Sequence, residues 1–166
     1  MRTDKVYLVG FMAAGKTTLA RALARRLDWR VEDVDEHIEA REGRTIASIF
    51  AREGEPYFRA VERAVLVDLL PLRHRVVATG GGTFVDAENR AAINRDGLSV
   101  WLDVPLDELV DRLPADGRRP LAADRLQLER LYAARRAAYQ QAHLRLDAAR
   151  APVEALVERI TAALDA

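Results

Sequence analysis

The residues Gly10-Phe11-Met12-Ala13-Ala14-Gly15-Lys16-Thr17 follow the pattern G-x-x-x-x-G-K-[ST], between a short apolar run and a helical one. Two glycines let the backbone turn inward so that its N–H groups surround a di- or triphosphate. A helix starting near Lys16 adds the positive end of its dipole. Lys16 would bridge the β- and γ-phosphates, and Ala13, Ala14 and Thr18 belong to the same nucleotide-facing segment. The Thr17 hydroxyl would take one coordination position on Mg²⁺, an ion that binds few protein oxygens and keeps several waters.

Asp33-Val34-Asp35 stands where a second strand should end. At i and i+2 of an extended segment both carboxylates lie on one side, so one can hold a magnesium hydration shell while the other meets an attacking hydroxyl. Phosphoryl transfer needs an in-line nucleophile, a group to accept or orient its proton, and positive charge around the transferred group. Asp35 is the candidate for the proton. Its competing role is a helix N-cap, because Glu36-His37-Ile38-Glu39 reads helical.

Arg59 and Glu62 lie three apart on a helix that Gly54-Glu55-Pro56 introduces. They form either a solvated pair worth a few tenths of a kcal/mol or an oriented fork that grips a substrate carboxylate bidentately. Thr79-Gly80-Gly81-Gly82 ends another apolar run. Each glycine is about 0.5–1 kcal/mol worse than alanine in regular structure, so three in succession suit a backbone pressed against a ligand better than a bare turn.

The elements that must position these residues alternate in type. Val6 to Val9, Arg75 to Ala78 and Ser99 to Asp103 read as buried strands, with a weaker one over Trp29 to Val34 and a fifth at Leu144 to Asp147. Helical stripes run through Leu19, Leu23 and Leu27, through Val61, Val65, Leu66, Leu69 and Leu70, and through Leu156, Val157, Ile160 and Leu164. Such alternation predicts an α/β fold of three layers, a five-stranded parallel sheet between helices, with ligands at the carboxyl ends of the strands.

The 166 residues fit one domain, able to bury roughly 68–70% of the surface its unfolded chain exposes. The absence of cysteine excludes disulfides, thiolate metal sites and a cysteine nucleophile. The 26 basic residues, of which two are lysine, balance 26 acidic ones. This gives no reason to expect nucleic acid or an anionic membrane as partner. No run approaches the ~20 apolar residues that span a bilayer, and the expectation is a cytoplasmic monomer. The chain is too short for the switch regions of a larger GTPase, which points to a small metabolite or nucleotide kinase.

In order and spacing, the phosphate loop, Asp33-Val34-Asp35, Phe58-Arg59-Ala60-Val61-Glu62, the glycine run, Arg119-Pro120-Leu121 and Arg135 with Tyr139 resemble the shikimate kinase family, within the nucleoside-monophosphate-kinase-like group. The resemblance covers nearly the whole chain. It implies a single kinase domain over 1–166, with a substrate-binding insertion at about 33–63 and a lid at about 112–124. It also implies transfer of the γ-phosphate of ATP, with Mg²⁺, to the 3-hydroxyl of shikimate in chorismate and aromatic amino acid biosynthesis. Asp35 would bind the acceptor hydroxyl, Arg59 and Arg135 the carboxylate, and Gly80, Gly81 and Gly82 would line the ring. Asp33 would reach Mg²⁺ through water, beside Thr17. Arg119 would swing over the phosphates and act with Lys16 and Asp35 in catalysis, while Arg112 and Pro152 would hold the adenine. Two prolines and a glycine in Leu113 to Pro120 support a lid independently.

Two departures stand out. Ala13-Ala14 replaces the family's common Gly or Ser, and Arg135-Arg136-Ala137-Ala138-Tyr139 lacks a proline, leaving either arginine able to reach the carboxylate; spacing to Tyr139 favours Arg135. The three histidines lie outside all the motifs. Rival readings are a gluconate kinase, a nucleoside monophosphate kinase and an idle ATP-binding regulatory module; the intact Lys16, Thr17, Asp33 and Asp35 argue against the last.

Overall fold

In a computed structural model of the chain, which describes residues 3–113 and 122–166, five parallel strands run in the order β2-β3-β1-β4-β5. Arg118, Arg119, Pro120 and most of the expected lid lie outside the described residues. The strands are β1 (Lys5–Val9), β2 (Arg30–Asp33), β3 (Arg75–Ala78), β4 (Leu98–Asp103) and β5 (Leu144–Asp147). All five residues of β1 are buried, as in a strand covered on both faces.

Among the described residues the helices are α1 (Lys16–Leu27), α2 (Val34–Glu42), α3 (Ile46–Glu53), α4 (Glu55–Leu69), α5 (Ala87–Asp96), α6 (Leu106–Arg112), α7 (Ala122–Tyr139) and α8 (Val153–Asp165), with a 3₁₀ turn at Thr83–Val85. The α1 residues Lys16, Leu19, Ala20, Leu23 and Ala24 are buried at i, i+3, i+4, i+7 and i+8, so its inward stripe begins with the lysine of the phosphate loop. On α4 the buried stripe is Phe58, Glu62, Val65, Leu66 and Leu69. The apolar spacing traced this helix but not the carboxylate on its inward face. Helix α3, which pattern reading missed, is short and capped by Thr45, whose hydroxyl accepts from Ser48 N–H.

The connections determine where a ligand can sit. The chain leaves β1 toward β2 on one side of the sheet and leaves β3 toward β4 on the other. Adjacent β1 and β3 therefore form the topological switch point. In register, Leu8 pairs with Ala78 and Ala78 with Asp33. The phosphate loop, the glycine run and Asp33 consequently emerge from three strand ends in one row. The Thr79 hydroxyl ties two of those ends by donating to Leu8 O at 2.8 Å.

At the opposite end of the sheet Lys5 is fully buried. Its ammonium donates to the α4 carbonyls Leu69 O and, at 3.1 Å, Leu70 O, and pairs with Asp96 at 2.8 Å. Tyr7 donates to the same Asp96 carboxylate. A cation on the last carbonyls of a helix answers its macrodipole and its unpaired acceptors together. Burial lowers the Lys5 pKa despite the partner Asp96.

Candidate active site

The phosphate loop is shaped by two glycines and one strained alanine. Gly10 has φ +148° and a Cβ there would lie 3.0 Å from Leu102 O, so the residue serves both conformation and close approach to β4. Gly15, at φ +97°, opens α1 in a left-handed conformation. Ala13 also has positive φ, at 64°, which costs a residue with a Cβ roughly 1–2 kcal/mol. Within the loop the Lys16 ammonium donates to Gly10 O at 2.6 Å and Phe11 O at 2.9 Å, and burial lowers its pKa to about 8 against the support of Asp35 and Asp33.

Two cavities flank this loop and share Ala13, Ala14, Gly15, Thr18 and Arg112. One, of about 370 Å³, opens toward Lys16, Thr17, Asp33, Asp35, Gly80 and Gly81. The other, of about 350 Å³, is lined by Leu19, Leu102, Ala148, Ala151, Val153 and Leu156 and is apolar enough for a flat base. Arg112 spans the boundary, donating to Ala13 O and Ala14 O at 3.3 and 3.1 Å while paired with Glu108 at 2.9 Å. Pro152, the N-cap of α8, sits between the lining residues Ala151 and Val153 but does not itself line the cavity.

The aspartate pair differs from the extended i, i+2 arrangement expected from sequence. Asp33 ends β2 and is itself the N-cap of α2, its Oδ1 accepting from Glu36 N–H at 3.1 Å; Asp35 lies in the first helical turn. The capping role weighed for Asp35 thus belongs to Asp33, which also accepts from the Thr17 hydroxyl at 2.9 Å through Oδ2. Asp35 is left to face the glycine run. Burial, with the Asp33 and Glu62 carboxylates nearby, raises its pKa to about 6 although Lys16 pulls the other way.

Each glycine of the run lies against a different side chain. A Cβ on Gly80 would lie 2.9 Å from Asp35 Oδ1, one on Gly81 2.9 Å from Arg135 Nη1, and one on Gly82 2.5 Å from Arg59 Nη2. Three groups from α2, α7 and α4 converge on one stretch of backbone only because that stretch has no side chains. Arg59 is paired with Glu62 as both sequence readings have it, but the carboxylate is buried rather than solvated: Nη1 donates at 3.0 Å to Oε1 of Glu62, which is 1% exposed. Arg135 and Arg136 have different partners. Arg136 donates to the buried Asp103 at 2.8 Å and lies over the Trp101 ring, whereas Arg135 lies over Phe11 and reaches Gly81. Tyr139 fixes that turn of α7 by donating to Gly81 O at 2.5 Å.

Sequence reasoning missed Thr83, which is fully buried between Gly80 and Glu62. Its position directly after the glycine run was the available signal. Asp103, which accepts from both Arg136 and Arg145, was also missed as an organising group, although it closes β4.

The family model for shikimate kinase matches residues 12–165. The shikimate kinase of Neisseria gonorrhoeae is 44% identical over 163 residues, covering 95% of this chain and 96% of that protein. Among solved structures, shikimate kinase from Acinetobacter baumannii in complex with shikimate superposes with a TM-score of 0.88 at 35% identity, covering 96% of this chain and 91% of that one. A gluconokinase from Sinorhizobium meliloti, at 16% identity and a TM-score of 0.62, shares the fold alone. The family match runs from inside the phosphate loop to the last residue of α8 and takes in Asp33, Asp35, Arg59, the glycine run and Arg135. The chain belongs to the shikimate kinase family, whose members are ATP-dependent kinases.

Proposed function

We propose that the chain transfers the γ-phosphate of ATP to the 3-hydroxyl of shikimate, giving shikimate 3-phosphate and ADP. The observation that carries this reading is the convergence of Asp35, Arg135 and Arg59 on the three glycines beside the phosphate loop. One carboxylate and two guanidinium groups suit an acceptor with hydroxyls at one end and a carboxylate at the other. The Acinetobacter baumannii protein, which superposes over nearly the whole chain, is described with shikimate bound.

In this reading the loop N–H groups and Lys16 hold the β- and γ-phosphates, and the base occupies the apolar cavity between Arg112 and the start of α8. Arg59 and Arg135 orient the acceptor by its carboxylate. Asp35 takes the proton of the attacking hydroxyl, a role its pKa near 6 suits at neutral pH. Thr17 and Asp33, two hard oxygen donors already 2.9 Å apart, fit Mg²⁺ held largely by water and phosphate oxygens. When bound there, the ion supplies positive charge to the phosphate oxygens. Arg119 belongs to the proposal as the lid residue that closes over the phosphates and excludes water.

The test is ADP release in Mg-ATP with shikimate, gluconate, nucleoside monophosphates or no acceptor, with the product identified by mass. The expected result is release with shikimate and a 3-phosphate product. Equal release with gluconate would discard the acceptor assignment, and silence with every acceptor despite ATP binding would favour a regulatory module.

A further inference from the structure

Between the glycine run and the carboxylate that holds Arg59 lies one hydroxyl, and its hydrogen bonds admit a single polarity. Gly80 N–H donates to Thr83 Oγ1 at 2.9 Å. A backbone amide can only donate, so the hydroxyl accepts there and its own proton must go elsewhere. The available acceptor is Glu62 Oε2, also at 2.9 Å. This leaves Glu62 Oε1 to accept from Arg59 Nη1 at 3.0 Å. The donor direction therefore runs from Gly80 N–H through Thr83 and ends at the Glu62 carboxylate, which accepts from Thr83 on one oxygen and from Arg59 on the other; Gly80, Thr83 and Glu62 are all buried.

The threonine itself is held from behind. Asn89, buried on α5, donates to Thr83 O at 3.2 Å, and Thr83 N–H donates to Gly80 O at 3.3 Å. Glu62 lies on the inward stripe of α4 with apolar neighbours Val65 and Leu66, where a carboxylate oxygen lacking a partner is costly. Without the hydroxyl, Glu62 Oε2 and Gly80 N–H would lose their shared partner. The carboxylate could then rotate toward other donors and release the fork geometry at Arg59.

We propose that Thr83 is a positioning residue for the acceptor site: its hydroxyl locks the Glu62 carboxylate to the backbone of Gly80 and so fixes the Arg59 guanidinium for a carboxylate-bearing acceptor. The proposal rests on the shikimate reading above. It extends the acceptor site to a residue from which no substrate contact is required.

The experiment compares wild type, Thr83→Val and Thr83→Ser in steady-state kinetics with shikimate and ATP varied separately, alongside thermal melting. The valine keeps the size and removes the hydroxyl, whereas the serine keeps the hydroxyl and removes the methyl. For Thr83→Val, kcat/KM for shikimate is expected to fall about 10- to 100-fold, the range a lost hydrogen bond to a charged group allows. KM for ATP should stay within about twofold, and Thr83→Ser should recover kcat/KM to within about threefold of wild type. In an Arg59→Ala background the valine should add little further loss, because both changes break one chain.

Three results would overturn the proposal: a lower melting temperature for Thr83→Val with unchanged kcat/KM for shikimate, equal damage in Thr83→Ser, or an equal rise in KM for ATP. Should Thr83→Val fail to accumulate as folded protein, Thr83→Cys, with its weak thiol donor, takes its place in the same comparison. Wild-type protein silent with shikimate would instead remove the underlying functional reading, and this proposal with it.

Discussion

The two halves of the cleft are built by different means. The phosphate side is eight consecutive residues whose backbone does most of the work, with Lys16 folded back onto Gly10 O and Phe11 O. The proposed acceptor side draws Asp35 from α2, Arg59 and Glu62 from α4 and Arg135 from α7, all meeting at a loop after β3. A contiguous backbone cradle tolerates little change in its dihedral angles but depends on few distant contacts. An assembled pocket depends on every element that delivers a side chain. Changes on the phosphate side should therefore register in ATP binding and stability, and those on the acceptor side in shikimate binding and turnover.

The largest expected effect is on the acceptor side. Asp35→Asn should lower kcat by about 10²–10⁴-fold with KM for ATP nearly unchanged; near-normal turnover would remove Asp35 from the mechanism. In the wild type, kcat/KM for shikimate should fall below about pH 6, where Asp35 is protonated and can no longer accept the hydroxyl proton. The same substitution should stabilise the protein. The folded state holds the Asp35 proton up to about pH 6, whereas an ordinary aspartate releases it near 3.8. Stability is consequently lost as pH rises through that window and stays reduced above it. Removing the charge should return up to about 3 kcal/mol at pH 7, a rise in Tm of up to roughly 6–12 °C by calorimetry.

An intermediate effect separates folding from binding. Gly82→Ala places a methyl 2.5 Å from the Arg59 fork, but the obstructed atoms are the end of a flexible side chain, and Gly82 has an unstrained φ of −107°. KM for shikimate should rise about 10-fold while Tm changes by no more than a few degrees. A large loss of Tm with unchanged KM would contradict the contact. The smallest effect belongs to the phosphate side. Ala13→Gly should relieve the positive φ and raise Tm by about 1–3 °C, with acceptor kinetics unchanged.

This contrast also explains what could be read in advance. The phosphate loop was legible because its chemistry is local, and spacing between neighbours in sequence is spacing in space. The strands and the α1 stripe were legible for the same reason. Asp33 and Asp35 were identified but misplaced: a single aspartate can end a strand and cap the following helix, and nothing in the three residues reveals where extension gives way to helix. The pairing of Arg136 with Asp103 spans 33 positions, so only the folded chain could separate Arg136 from Arg135. Thr83 remained hidden because its partners lie three positions behind it and 21 positions away on another helix.

Helix α4 is a lever with a fixed foot. Its last carbonyls are held by Lys5, on the strand that feeds the phosphate loop, while Arg59 projects ten residues nearer its other end. Ten helical residues span about 15 Å, so a tilt of about 5° about that foot carries the turn bearing Arg59 through about 1.3 Å. A displacement of that size is as large as those that separate a productive from an unproductive approach of acceptor to phosphate, and the Glu62–Thr83–Gly80 hydrogen bonds oppose it.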